Sequence, residues 1–305
     1  MAIASRPSKV TIPKQSSDCK NLLQFLVTRF PLIDETIWQS RFQQGKIHWL
    51  SGEKVKAETA LQPGKVLCYY REVPEEPVIP FPHQVLYQDE HILVACKPHF
   101  LPVTPGGKYV NECLLERLRQ QQNLPDLVPV HRLDRETAGL VIFSVNPETR
   151  GNYGQLFADK QIHKTYQAVA TLPSEHLKWT LPKSWQVSNR LEKGNPGFVM
   201  KEVEGEINAH SVINLVERKE QLGLFKLSPI TGKTHQLRLH MMKIGMPILN
   251  DKFYPLLEDE KKLDFSSPLQ LLAKSLTFRD PISGKQQQFQ SGRQLSQWQD
   301  NNLDK

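Results

Sequence analysis

The sequence predicts an α+β protein: a small helix-and-hairpin module, then a larger domain on a mixed, mainly antiparallel sheet. Three observations carry this. Apolar residues recur at helical spacing only in short stretches near the start of the chain. Four prolines fall between residues 74 and 82. Beyond residue 84 the apolar segments are short, β-rich and separated by turn residues, with helices only scattered among them.

The elements follow in order. Residues 1–18 are polar, with two prolines and no periodicity, and read as a flexible arm. Leu22, Leu23, Phe25, Leu26 and Phe30 have helical spacing, and Ile37, Trp38 and Phe42 suggest a second helix ended by Gly45. Lys46–Leu50 alternates as a strand, Ser51–Val55 reads as a turn, and Val66–Tyr70 as a closing strand. The module therefore spans 19–72. Pro74, Pro77, Pro80 and Pro82 make 73–83 a semi-rigid linker, because proline at this density supports neither a helix nor a central strand. In the main domain, 84–292, strands are expected at Ile92–Cys96, Gly139–Val145, Thr165–Leu172, Ala209–Val216, Leu224–Leu227 and Leu271–Phe278. One helix is expected to start at Asn146-Pro147-Glu148, which offers a cap, a first-turn proline and an acid. Another is expected from Thr234 to about Lys243, and Pro281–Lys285 reads as a hairpin turn. Residues 293–305 read as a polar tail.

Composition narrows the function. The chain of 305 residues carries a net charge of +7, which favours a polyanionic partner. Its four cysteines (Cys19, Cys68, Cys96 and Cys113) are scattered and fit a reduced, cytoplasmic protein. The N-terminus lacks the apolar core of a signal peptide, and no window is apolar for long enough to span a bilayer. Several histidines occur, but no His-Glu-x-x-His pattern accompanies them, so no metal is expected.

Two segments carry most of the chemistry. His131-Arg132-Leu133-Asp134-Arg135-Glu136-Thr137-Ala138-Gly139 precedes a strand, where loops display reactive groups. Positive charge on both sides favours the carboxylate of Asp134. Read locally, that carboxylate is either a nucleophile at a sugar carbon or half of a structural Arg–Asp pair. The second segment runs from Leu227 to His240. Gly232 permits close approach, Thr234 can cap the helix, and free N–H groups with Lys233 suit a phosphate. Arg238 could reach a carboxylate on another loop; the alternative is a solvated surface helix. Gly232-Lys233-Thr234 is not a nucleotide P-loop, because position 227 is Leu where that motif requires Gly. Lys164-Thr165-Tyr166 opens a strand whose tyrosine either stacks on a base and moves a proton or simply packs.

Taken together, these segments resemble the RluA-type pseudouridine synthase family. The resemblance rests on His131-Arg132-Leu133-Asp134 with Thr137-Ala138-Gly139, Lys164-Thr165-Tyr166, and Thr231-Gly232-Lys233-Thr234-His235-Gln236 followed by Arg238 and His240. It extends to Gly245-Met246-Pro247-Ile248, Asp251-Lys252-Phe253-Tyr254, Lys97-Pro98 and Leu276-Thr277-Phe278. Ala138, Lys233 and Asn250 depart from the family's usual Ser, Arg and Gly. The N-terminal module resembles the S-four-like RNA-binding domain at Trp38, Arg41, Gly45-Lys46-Ile47, Gly52 and Pro63-Gly64, with Arg29, Arg41, Lys46, Lys54 and Lys56 suited to phosphate.

The resemblance implies a pseudouridine synthase fold and an isomerase that needs no cofactor. Its partner would be ribosomal or transfer RNA; apart from the resemblance, the lack of any exposed apolar repeat suggests a monomer. It implies catalytic roles for Asp134 (nucleophile), Tyr166 (stacking on uracil, and accepting a proton) and Arg238 (pairing with Asp134). Arg132 would fill the space left by the flipped base. His131, Arg135, Lys233, Thr234, His235 and Lys97 would complete the RNA-binding surface. Two rivals predict different outcomes: a glycosidase or nuclease using Asp134 with Glu136 would release a hydrolysis product, and a non-catalytic RNA binder would release none.

Overall fold

The computed structural model describes residues 1–14, 19–258 and 264–299. The chain forms two compact units, Met1–Val78 with Pro105–Glu112, and Ile79–Thr104 with Cys113–Lys305.

In the first unit, β1 (Ala2–Ile3) pairs with β5 (Glu72–Val73), and β2 (Ser8–Thr11) pairs with β4 (Val66–Tyr69), which also pairs with β3 (Ile47–Trp49). The expected arm thus supplies two strands. Val10 and Ile12 fall on the apolar side of β2, a pattern too short to register against the surrounding polar residues. Residues 15–18 of that arm lie outside the described residues. Two helices cover the sheet. Helix α1 (Leu22–Arg29) is capped by the Asn21 side chain, which accepts from the Gln24 amide at 2.9 Å, and α2 (Glu35–Gln43) by Asp34, which accepts from the Thr36 amide at 2.8 Å. Leu22, Leu26, Trp38, Ile47 and Leu67 form the core. Two of the expected phosphate contacts are otherwise engaged. Arg41 is buried and, with Lys46, pairs with Glu72. Burial opposes charge on Glu72, yet these two cations hold its carboxyl below the usual range. Arg29, Lys54 and Lys56 remain exposed.

The second unit is built on one sheet of eleven strands. They are β6 (Gln84–Gln88), β7 (Ile92–Lys97), β8 (Val128–Pro129), β9 (Ala138–Ser144), β10 (His163–Thr171), β11 (Lys183–Lys193), β12 (Met200–Val203), β13 (Ala209–Lys219), β14 (Leu222–Pro229), β15 (Leu271–Arg279) and β16 (Gln286–Gln290). The order across the sheet is β12-β11-β13-β14-β10-β15-β9-β7-β6, with β16 on β15 and β8 on β9. Every pairing is antiparallel except β15 with β9. Helices α3 (Leu114–Gln122), α4 (Arg150–Ala158) and α5 (Gln236–Lys243) are the α-helices of this unit among the described residues.

The six expected strands are present, and β6, β8, β11, β12, β16 and α3 join them. Asn146 accepts from the Glu148 amide at 2.9 Å in a turn that precedes α4, so that helix begins four residues later than its signal. The expected linker is tied at both ends. Glu76 accepts from the amides of Val110, Asn111 and Glu112, while Arg117 donates to the carbonyls of Ile79 and Phe81. The expected tail is held as far as residue 299: Leu295 is buried, and the Gln297 amide donates to Gln270 at 3.0 Å. Residues 300–305 lie outside the described residues.

The single parallel junction positions the site. Gly139 on β9 faces Ala273 on β15, Ala273 faces Tyr166 on β10, and Tyr166 faces Leu227 on β14. The register thereby sets Gly139, Ala273, Tyr166 and Leu227 side by side across four adjacent strands, and the loop before β9 and the loop after β14, which leave from opposite ends of these strands, meet where Asp134 approaches His235 and Arg238. Gly139 is required at this crossing. Its φ is +116°, and a Cβ there would lie 2.2 Å from the Ala273 carbonyl oxygen. A register shift interrupts the pairing of β10 with β15 between Thr165 and Tyr166.

Candidate active site

Asp134 sits in the short loop before β9, where its carbonyl accepts from the Thr137 amide at 3.1 Å. Its side chain is 30% exposed. The Asp134 carboxylate lies 3.9 Å from His235 Nε2 and 4.0 Å from Arg238 Nη1. Asp134 belongs to the loop before β9, and His235 and Arg238, about one hundred positions later in the chain, belong to the segment after β14.

Arg238 departs from the expected pairing. Its Nε donates to Asp251 at 2.8 Å, and Nη2 donates to the other oxygen of the same carboxylate. Asp251 is the better partner because it is equally buried and is itself held by the amides of Phe253 and Tyr254, at 2.9 and 3.1 Å. The guanidinium lies over Phe253, 4.7 Å from the ring centroid. Burial opposes its charge, but Asp251 keeps its pKa above the ordinary value. This leaves Nη1 buried without a hydrogen-bond partner and directed towards Asp134. Arg238 therefore carries a fixed charge with one free donor facing the carboxylate.

Helix α5 is buried on all sides through Met241, so the alternative of a solvated surface helix is excluded. Its cap is His235, with φ of +53°, and not Thr234, which is exposed and makes no capping bond. The turn is organised by Gln236. Its Oε1 accepts from the Thr231 hydroxyl at 2.7 Å and the Lys233 amide at 3.1 Å, and its Nε2 donates to the His210 carbonyl at 2.8 Å and Ser211 Oγ at 2.9 Å. Burial lowers the His235 pKa, against the attraction of Asp134. Its Nδ1 contacts the Tyr254 hydroxyl at 2.9 Å. Burial, reinforced by the charge of Asp134, raises the Tyr166 pKa, so this phenol stays neutral.

Of the expected RNA contacts, Lys97 and His235 are buried and His131 is half-buried. Lys97 is fully buried, and its Nζ donates to the carbonyls of Pro98 (3.0 Å), Leu101 (2.7 Å) and Arg135 (2.9 Å). Burial brings its pKa down to about 7, while Glu136 and Asp134 oppose the fall. Three carbonyl acceptors need three N–H donors, which only the ammonium form supplies. Lys97 thus underpins the Asp134 loop from inside. His131 stacks on Phe157 at 4.6 Å, and its Nε2 accepts from the Ile142 amide at 3.1 Å. Burial lowers its pKa to about 3, so the ring is neutral. Arg132, Lys233 and Thr234 are exposed, and the Arg135 Nε donates to Glu136 at 2.8 Å. Ala138 is buried in an apolar cluster with Val169, Leu224, Leu272 and Leu295, which accounts for a methyl where a hydroxyl would lie among hydrocarbon.

Sequence reasoning assigned no role to Asp251, Gln236 or Tyr254, although all three lie in the segments quoted for the resemblance. The signal available was an acid three residues before a tyrosine. Among the described residues, no cluster of side chains suits a metal ion, and no helix is long and apolar enough to cross a membrane.

Residues 91–243, which include Asp134, Tyr166 and Arg238, match the family model for RNA pseudouridylate synthase. The chain is 32% identical over 227 residues to the dual-specificity RNA pseudouridine synthase RluA of Salmonella typhimurium, a match covering 71% of this chain and 94% of that protein. It is 27% identical over 236 residues to the mitochondrial tRNA pseudouridine(32) synthase of Saccharomyces cerevisiae, covering 77% of this chain and 50% of that protein. The fold resembles that of human RNA pseudouridylate synthase domain containing 1, with a TM-score of 0.57 at 18% identity, over 72% of this chain and 86% of that one. On its sequence and its fold, the chain belongs to the RNA pseudouridine synthase family, isomerases that act on RNA.

Proposed function

We propose that this enzyme isomerises uridine in ribosomal RNA, transfer RNA or both, with Asp134 as the nucleophile. One observation carries the reading: a single carboxylate, partly exposed, faces a fixed guanidinium with an unused donor. A uridine stacked in RNA cannot reach such a group, so it must be flipped out, at about a few kcal/mol. Arg132, which is exposed, fills the vacated position in this reading. Asp134 attacks ribose C1′ as the N1–C1′ bond breaks. The uracil turns, C5 bonds to C1′ as the carboxylate leaves, the proton on C5 departs, and N1 is protonated. No electrons leave the system and no water is added.

Tyr166 receives a narrower role than a proton acceptor. A phenol held neutral presents its ring to the uracil and its O–H as a donor. His235 orients the loop through Tyr254. Arg238 stabilises charge on Asp134 as the glycosidic bond breaks. In the first unit, Arg29, Lys54 and Lys56 form a second RNA contact of the S-four-like kind. Lys233 and Thr234, in the exposed turn before α5, contact phosphate.

The test is Asp134→Asn, with pseudouridine mapped in total RNA from cells carrying the wild-type or the variant gene. Loss of specific pseudouridines is the expected result. Persistence at the wild-type level would remove Asp134 from the mechanism, and release of free uracil would make the enzyme a hydrolase.

A further inference from the structure

A second feature lies beside the candidate site and plays no part in the chemistry above. A groove of about 430 Å³ opens between the end of α4, the start of β10 and the loop after β14. This volume falls in the range of ligand sites, about 300–1,000 Å³. Three lysines line it: Lys160, Lys164 and Lys233. No carboxylate does, among the described residues, and the adjacent Asp159 is engaged by the Gln155 amide at 2.7 Å. Lys164 is only part-exposed, and burial lowers its pKa below the ordinary value. A cation withdrawn from water beside two others, with no counter-ion, is an arrangement that an anion relieves.

The remaining walls are apolar. Phe157 and Ile162 lie on one side and Ile230, 52% exposed, on the other. An exposed isoleucine next to lysines suits a planar base attached to a phosphate. The groove borders the segments that carry the site, since Lys164 is two residues before Tyr166 and Lys233 two before His235.

We propose that this groove binds one nucleotide of the RNA strand flanking the target uridine, its phosphate on Lys160, Lys164 and Lys233 and its base against Phe157 and Ile230. The proposal rests on the synthase reading for its ligand class. It assigns these lysines a share of substrate binding and no share of bond making. Lys160 is the most informative position. It lies on an exposed turn remote from Asp134 in the chain, and its replacement disturbs no hydrogen bond made by its side chain among the described residues.

Binding of labelled bulk transfer RNA is measured against salt in the Asp134→Asn background, so that a failure of the catalytic assignment leaves the measurement intact. Lys160→Gln is expected to lower the slope of log K against log salt by about 0.7–0.9, and Lys160→Gln with Lys233→Gln by about twice that. Lys285→Gln, on the hairpin between β15 and β16, is expected to leave it unchanged. With Asp134 restored, Lys160→Gln should raise KM about fivefold at moderate salt and leave kcat unaltered. An unchanged slope for Lys160→Gln, or an equal change for Lys285→Gln, would overturn the proposal. So would a fall in kcat with binding intact, which would make the lysine a positioning group for Tyr166. Absence of pseudouridine in the wild-type reaction would instead sink the synthase reading.

Discussion

Asp251 offers the sharpest test of how the site is held. Its carboxylate accepts four hydrogen bonds: two from Arg238 and one each from the amides of Phe253 and Tyr254. Both side chains of the pair are 1% exposed. Asp251→Ala leaves a buried guanidinium whose remaining counter-charge is Asp134 at 4.0 Å. Breaking a buried pair by removing one partner costs about 3–5 kcal/mol, because the stranded charge has no water to turn to. For a unit of this size, each kcal/mol corresponds to about 2–4 °C in Tm. A loss of about 6–20 °C is therefore expected in the calorimetric transition of the catalytic unit. Asp251→Asn retains an acceptor for the backbone amides but loses the charge, and should lie between Ala and wild type. The double variant Asp251→Leu with Arg238→Met removes both charges together. It should recover at least half of the stability lost by Asp251→Ala while remaining inactive. A loss under about 1 kcal/mol for Asp251→Ala would show that the pair does not anchor Arg238. A double variant as unstable as the sum of its singles would show that the stranded charge is not the cause.

Three further outcomes follow from the geometry. Gly139→Ala should prevent the parallel pairing of β9 with β15, since its Cβ would meet the Ala273 carbonyl at 2.2 Å on top of about 1–3 kcal/mol of backbone strain; soluble yield and thermal unfolding check this. His99, His131 and His240 have folded pKa values lowered by burial to about 4, 3 and 4. Below their unfolded values near 6.5 the unfolded chain binds more protons, so stability should fall as pH drops from about 6.5 towards 4 and be unaffected by these groups above that range. The slope from the three is at most about 4 kcal/mol per pH unit, and urea unfolding of wild type against His131→Phe would expose the share of one histidine. Tyr166→Phe keeps the ring and should keep kcat within about tenfold, whereas Tyr166→Ala should lose about a hundredfold or more; equal losses would mean that the hydroxyl moves the proton.

Much of the fold was legible along the chain. Helices α1 and α2 and strands β7, β9, β10, β13, β14 and β15 each bury one face or both, and burial leaves a period that a short window detects. Strand β11 escaped because Lys183, Ser184, Gln186, Ser188 and Glu192 make its exposed face dominate the local composition, and β12 because Lys201 and Glu202 fill half of its four residues. Strands β1 and β2 are too short to leave any period, and they exist only because β5 and β4 supply their hydrogen bonds.

The sequence by itself determined which residue types reach the site: the Asp134 loop, Tyr166 at a strand start, and the turn into Arg238. Their local environment does not follow from spacing, because it depends on which groups arrive from other strands. Lys97 looked like a surface charge next to the key loop, and only its packing beneath that loop, against three carbonyls, turned it inward. The partner of Arg238 was decided in the same way. Asp134 and Asp251 are equivalent acids in the sequence, but the turn at 251–254 aims two backbone amides at one carboxylate and leaves the other to the substrate. Competition between two acids for one guanidinium is settled by distance and by backbone donors, and both exist only once β9, β15, β10 and β14 lie side by side.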